Sequence, residues 1–417
     1  MLLLGLAIII SVIGHILFEY TGLPESVFMI ILGVISGPIF NIITPMTLEP
    51  LLPFIFTISL LIILLESGIE TQIIDAVDKI REASIFTLVV LIVTSLFCGV
   101  FMHLFVGWEP LPSLLIGVIC SGTSTLPVIY FTRRMSVNEN VKSLLVYESI
   151  LNDVTLLTAV TLILQAITSE LAIGYTFIHI GRQVFLAVLF GSITAFVWAL
   201  IMIKYFHNVQ LRYISTLSIL IILYSITEME QASGVLAALT FSLVLGGLNE
   251  ILENSGLFYK RTIAIFEPLE DQLKSIIGMQ KEVSFVVKNL FFLVMGIMFD
   301  LKSLSWEITT IAVFLMIIMA LSRLLSVGVI SIRDDKYWKD VVTISLMLPR
   351  GVTASLAAFM PLEQGVNIPL LKEIIVVLVM VTTITSTLGF VIIERGLKNK
   401  ESSGVLKNTD AQASVKM

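Results

Sequence analysis

Apolar runs of about twenty residues, each closed by charge, glycine or proline, recur along almost the whole chain. A helix needs about 20 such residues to cross the hydrocarbon core of a bilayer. Thirteen runs meet that length, near residues 2–19, 26–44, 51–69, 84–106, 112–132, 143–167, 184–205, 212–227, 232–249, 283–300, 308–330, 341–361 and 370–393. The pattern predicts an all-α polytopic membrane protein with about 13 transmembrane helices. Residues 172–183 read as an interfacial piece or the start of the seventh helix. Residues 250–281 are mixed, with amphipathic stretches such as RTIAIFEPLEDQLKSI, and are expected along the membrane surface. The tail from Gly396 to Met417 is polar and lacks apolar periodicity, so disorder is expected there.

Composition excludes a soluble globular protein: 57% of the residues are hydrophobic, 13% are charged, and the mean hydropathy is +1.01. The N-terminal run lacks the basic segment and small-residue cleavage site of a signal peptide and reads as the first membrane helix. Cys98 and Cys120 lie inside apolar segments and are expected to pack in the core rather than form a disulfide. There is no phosphate-binding glycine loop with Lys-Ser/Thr, so nothing supports coupling to ATP, and nothing points to nucleic acid.

The placement of charge adds orientation. With the helices numbered as above, 20 Lys and Arg residues, Lys288 among them, fall on one side of the membrane. Only Arg182, Lys302 and Lys372 fall on the other, which predicts a cytoplasmic C-terminus and an outside N-terminus. The two remaining basic residues, Arg323 and Arg350, sit inside apolar runs, as do Glu66, Glu148 and Asp153. A charge at the centre of a membrane helix costs about 2.5–3.5 kcal/mol on insertion scales, so such groups are paired or functional. Any one of them alone can be explained by a structural ion pair. Three acids against two bases leave one acid over, free to hold a proton or a cation.

Asp153 lies about ten residues into its helix, roughly 15 Å at 1.5 Å per residue, and so near the midplane. Ser149, four residues earlier, shares its helical face and can offer a neutral oxygen. Asn152 is turned by about 100° and reads as a hydrogen-bonding partner. A carboxylate among hard oxygens suits an alkali cation or a proton. The fifth helix carries SGTSTLP at its centre, and Pro127 is expected to interrupt it, freeing carbonyls and the hydroxyls of Ser124 and Thr125. The twelfth repeats the theme in LMLPRGVTASL, with Pro349 and Gly351 around Arg350. Two interrupted helices in corresponding positions point to a secondary transporter built from inverted repeats with a midplane site. Gly33 and Gly37 are spaced for close helix packing. The four histidines, at 15, 103, 179 and 207, share no spacing and are expected at the interfaces.

From GLPESVFMIILGVISGP through LLESGIE, STLPVIY, ESILND, LAALTFSLVLGG, FFLVMGIMFD and SRLLSVG to LPRGVTASLA, the chain resembles the monovalent cation:proton antiporters, in the branch of the NhaP proteins and the sodium/proton exchangers. ESILND looks like the Glu-Ser-x-x-Asn-Asp signature of electroneutral members. The resemblance implies an NhaA/NhaP-like fold with two crossed broken helices, and a homodimer in the plasma membrane whose partners are lipid and a second copy. It implies a transmembrane domain over 1–395, with core helices near 84–167 and 283–393 and dimerisation helices near 1–69 and 184–249. No cofactor is implied, because Na+ or another monovalent cation and H+ are substrates. Asp153 would be the shared cation and proton site, with Ser149, Thr125, Glu66 and Asn152 nearby. Glu148 and Arg323 would form a structural ion pair, and Ser124, Leu126, Pro127 and Arg350 would belong to the broken helices. Leu126 departs from the family, which usually has an acid there. The readings left open beside Na+/H+ exchange are K+/H+ exchange, a cation channel or leak, and a cation sensor that moves nothing.

Overall fold

A computed structural model describes residues 2–70, 77–135, 137–168, 173–206, 209–254, 260–301, 304–332 and 335–414. Among these residues every regular element is helical. In chain order they are α1 (Leu2–Thr21), α2 (Glu25–Val34), the short α3 (Pro45–Leu48), α4 (Leu52–Glu70), α5 (Val77–Phe101), α6 (Pro110–Ile119), α7 (Thr125–Arg134) and α8 (Glu139–Thr168). They continue as α9 (Ile173–Tyr205), α10 (Val209–Met229), α11 (Gly234–Asn254), α12 (Lys260–Ile297), α13 (Trp306–Ser331), α14 (Val341–Leu346), α15 (Val352–Glu363) and α16 (Leu371–Ser414). Seven described helices are long and apolar enough to cross a membrane, and shorter apolar helices accompany them. The chain is an integral membrane protein with the predicted all-α architecture.

Hydrocarbon offers no partner to a backbone N–H or C=O, so a helix that satisfies its own ladder is the favoured way across. Hydroxyls buried in the helices solve the same problem locally. Thr87, Thr161 and Thr227 donate back to the carbonyls of Ala83, Leu157 and Leu223 at 2.7–2.8 Å. Small residues let helix axes approach. A Cβ on Gly33 would stand 2.2 Å from the Leu293 carbonyl, and one on Gly296 would stand 2.3 Å from the Ile30 carbonyl, so the glycine spacing read in the sequence serves the α2–α12 contact. Gly33→Ala is expected to destabilise the folded protein by about 1–3 kcal/mol, measured as a lower thermal midpoint in detergent. An unaltered midpoint would mean that the two helices do not touch there.

The helices associate in two sets. One contains α5, α6, α8, α13 and α16, with α5 against α6, α8 and α13, and α13 against α16. The other contains α2, α4, α9, α11 and α12, with α9 on α11, α11 on α4, and α12 on α2 and α4. Helix α12 meets α2 through its glycine and small-residue face.

Residues 173–183 are the beginning of α9, the second of the two readings the sequence left open. Two sequence expectations change. The amphipathic stretch after residue 259 is no separate surface element but the first half of the 38-residue α12. Helix α16 runs on to Ser414, through the stretch predicted to be disordered, since extending a formed helix costs far less than nucleating one.

Candidate functional site

The site is built where two helices break. Helix α6 ends at Ile119 and α7 begins at Thr125. The interruption lies at 120–124, upstream of Pro127. That proline occupies the first turn of α7, where a missing N–H costs nothing. What opens the chain is the run Ser121-Gly122-Thr123-Ser124, whose side chains compete with or fail to support helical backbone. The second break lies between Leu346 of α14 and Val352 of α15. The two irregular stretches cross in contact: Ser124 N donates to Pro349 O at 2.7 Å. A Cβ on Gly351 would stand 2.3 Å from Ser124 Oγ, so only glycine allows the approach.

Four half-helices meeting in this way bring together two positive and two negative ends. The negative ends are answered by arginines. The Arg350 guanidinium donates to the carbonyls of Cys120 and Gly122, just beyond α6, and to Thr123 Oγ1 at 3.3 Å. Arg323, fully buried on α13, donates from Nε to Ile344 O of α14 at 3.0 Å. The same guanidinium grips Glu148 of α8 in two places, Nη1 to Oε1 at 3.0 Å and Nη2 to Oε2 at 3.2 Å. Thr123 Oγ1 and Asn152 Nδ2 each also donate to Glu148 Oε1 at 3.1 Å, and Asn152 holds Ser121 O at 2.9 Å. Glu148, Arg323, Thr123 and Asn152 thus form one connected network that clamps the first break to α8 and α13, with only Asn152 Oδ1 left without a hydrogen-bond partner among its atoms. A buried ion pair without such extra bonds would not recover its desolvation.

The positive ends face Asp153. Thr125, the first residue of α7, donates from Oγ1 to Asp153 Oδ2 at 3.4 Å. Asp153, Thr125, Val352 and Thr353 line one chamber of about 50 Å³, together with Leu126 and Lys288. A water needs roughly 10–15 Å³ by this kind of measure, so the chamber can seat a partly dehydrated cation. A vestibule of about 480 Å³ also reaches Asp153, passing Glu66, Lys288, Arg350 and Leu126, and is lined farther out by His15, Glu25, Arg133 and Lys281. Among the described residues no basic side chain forms an ion pair with Asp153. Leu126 is half-exposed to this space and puts no charge into it.

Several site expectations are revised. Ser149 is buried, donates to Val146 O at 2.8 Å and does not line the chamber or the vestibule. Asn152 points into the Glu148 network rather than toward Asp153, as its 100° offset allows. Glu66 is not a free acid, because Lys288 Nζ lies 2.5 Å from its Oε2. Lys288 itself, counted from the sequence among the residues on the cytoplasmic side, is largely buried on α12 between the chamber and Glu66. That makes three bases, so the surplus acid does not follow from counting. It follows from geometry, since Arg350 is spent on carbonyls. Sequence reading also passed over Thr123 and Thr353. The signal for Thr123 was present, as a hydroxyl inside a helix break two residues before Thr125. His15 lines the vestibule, 3.8 Å from Glu25 and edge-on to Phe285 at 5.5 Å. Cys98 and Cys120 are buried thiols with no disulfide between them.

Comparison with known proteins agrees with this fold. The chain matches the family described as sodium/hydrogen exchanger, transmembrane, over residues 6–394. Among solved structures it is similar to the sodium proton antiporter MjNhaP1 from Methanocaldococcus jannaschii at pH 8. The identity there is 20%, with 94% of this chain and 93% of that chain covered at a TM-score of 0.71. An electron-microscopy map of the same antiporter aligns at 20% identity over 95% of both chains, with a TM-score of 0.69. No curated protein matches.

Proposed function

This chain belongs to the sodium/hydrogen exchanger family, and from that premise we propose that it exchanges one monovalent cation, Na+ first, for one proton by alternating access, with Asp153 as the shared site. The observation that carries this reading is a carboxylate with no ion-pair partner among the described residues, set at the positive ends of two half-helices and reached by a water-sized path. A proton and a cation cannot occupy that carboxylate together. Loaded with either, the site is neutralised. Empty and ionised, it carries an unpaired charge that low dielectric penalises, and this suppresses uncoupled movement. Thr125 and Thr353 are the neutral oxygens we assign to the cation, while Glu148, Arg323 and Arg350 hold the half-helices in register. Ser149 and Asn152 take no ligand role in this scheme.

The moving body in this proposal is the set α5–α8 and α13–α16, which carries Asp153. The stationary set is α1, α2, α4 and α9–α12, which we assign to a homodimer interface in the plasma membrane. With the N-terminus outside, the vestibule opens to the cytoplasm, where Arg133 and Lys281 stand at its mouth.

The test is pH change inside proteoliposomes on addition of Na+, Li+ or K+. Exchange gives cation-dependent alkalinisation or acidification that persists with the membrane potential clamped to zero. Flux that follows voltage and ignores the proton gradient would mean a channel, and no proton movement with any cation would mean a sensor. Potassium is the second reading, favoured by Leu126: with one carboxylate rather than two in the chamber, the field on the cation is weaker, which lessens the advantage of the smaller ion. A larger response to K+ than to Na+ at equal concentration decides for it.

A further inference from the structure

Glu66 of α4 and Lys288 of α12 bring charge to the site but hold no broken helix in place. Their side chains are 13% and 17% exposed, and Lys288 Nζ lies 2.5 Å from Glu66 Oε2. Lys288 lines the same chamber of about 50 Å³ as Asp153, while Glu66 lines the vestibule beyond it. An ammonium and a carboxylate on one small, poorly solvated chamber attract each other strongly. Among the described residues, however, Lys288 is paired with Glu66 and not with Asp153. The other charged groups along the vestibule are engaged or distant: Arg350 is spent on the carbonyls of Cys120 and Gly122, and His15, Glu25, Arg133 and Lys281 line its outer part.

We propose that Glu66 is a positioning residue: it holds the Lys288 ammonium away from Asp153 and so keeps a tethered cation out of the exchange site. The proposal rests on the reading of Asp153 as that site. Glu66 and Lys288 belong to the body assigned as stationary and Asp153 to the one assigned as moving. Neither of the two therefore carries cargo, and exchange stays at one cation for one proton. Without the Glu66 charge, Asp153 is the acid that shares the chamber with Lys288, and the flexible four-carbon stem of lysine lets its head turn from one to the other. An ammonium seated on Asp153 excludes the alkali cation just as a proton does, with one difference. Competition from protons fades as pH rises, whereas a tethered ammonium competes at every pH at which it is charged.

The experiment follows proton movement by full-length protein in proteoliposomes with an internal pH dye, with Na+ as the probe, or K+ if the parent prefers it. Glu66→Gln is expected to raise the apparent KM for the cation at least about tenfold at alkaline pH. The rate at saturating cation should be kept, and the difference from the parent should close at acid pH, where protons dominate the competition. Glu66→Gln/Lys288→Gln has no ammonium to release and should lose most of that rise. A merely structural Glu66 would instead lower folded yield or the saturating rate and leave the pH dependence of KM as in the parent. An unchanged KM in folded Glu66→Gln overturns the proposal, as does a rise of equal size at every pH or one that the double variant retains. If Glu66→Gln does not fold, Glu66→Asp decides, because its carboxylate is drawn back by one methylene: a KM raised at alkaline pH alone supports the proposal, and an unchanged one overturns it. A parent that moves no protons with Na+, Li+ or K+ defeats the exchange reading itself, so the two failures are separable.

Discussion

Asp153→Asn is expected to reduce cation-dependent proton movement to the level of protein-free liposomes, a loss of at least about a hundredfold, while the protein folds normally. The amide has the shape of the carboxylate but neither titrates nor carries charge, so it can hold neither cargo by exchange. Folding should survive because Asp153 contributes little to the architecture: its side-chain hydrogen bonds are to the hydroxyls of Thr125, at 3.4 Å, and Thr353, and no described basic group forms an ion pair with it. Removing an unpaired buried carboxylate relieves desolvation, so the thermal midpoint should hold or rise. Exchange at the parental rate in this variant would refute the assignment. The same competition sets the pH dependence. Protons and cation exclude one another, so the apparent KM for the cation should rise about tenfold for each unit of pH below the titration of the site, because protonation removes the charge the cation binds. A cation KM that is flat with pH would mean that the two do not share a group.

Arg323→Ala and Glu148→Ala should act in the opposite way, on stability before transport. Each is expected to cost about 3–5 kcal/mol, because breaking a buried pair strands the other charge at full burial. Arg323→Ala also frees the Ile344 carbonyl and a partner of Thr123, so it should be the worse of the two. The double variant should cost much less than the two single losses added together, since neither charge remains. Thermal unfolding in detergent and yield of monodisperse protein measure this. Additive losses, or normal midpoints in both single variants, would mean that the pair does not hold the crossing together.

Most of the fold was readable one run at a time. Helix existence follows from length and apolarity, which are local properties, and the glycine spacing at 33 and 37 follows from the need for close axes. The helix breaks were readable as events but misplaced in detail, because Pro127 is the conspicuous residue while the unwinding falls on its small neighbours. Segments near charged linkers were the hardest: nothing in RTIAIFEPLEDQLKSI by itself distinguishes a surface helix from the first half of a long α12.

In the site, Asp153 was nameable as an acid stranded in apolar sequence, whereas the Glu148–Arg323 pairing came from the resemblance to the antiporter family. The jobs of Lys288, Glu66, Ser149 and Arg350 were not nameable. Lys288 stands near a run of charge in the chain and is indistinguishable there from a loop residue. Its burial depends on how far α12 extends and which face meets α4. Sequence by itself determined which side chains cannot be solvated by lipid and therefore need a partner or a task, since that cost depends only on the residue and its apolar surroundings. Which partner each one takes was decided by the tertiary structure, because the two broken helices, α4, α8, α12 and α13 come from distant parts of the chain, Cys120 and Arg350 for instance 230 residues apart, and only their packing sets which charges meet and leaves Asp153 unmatched.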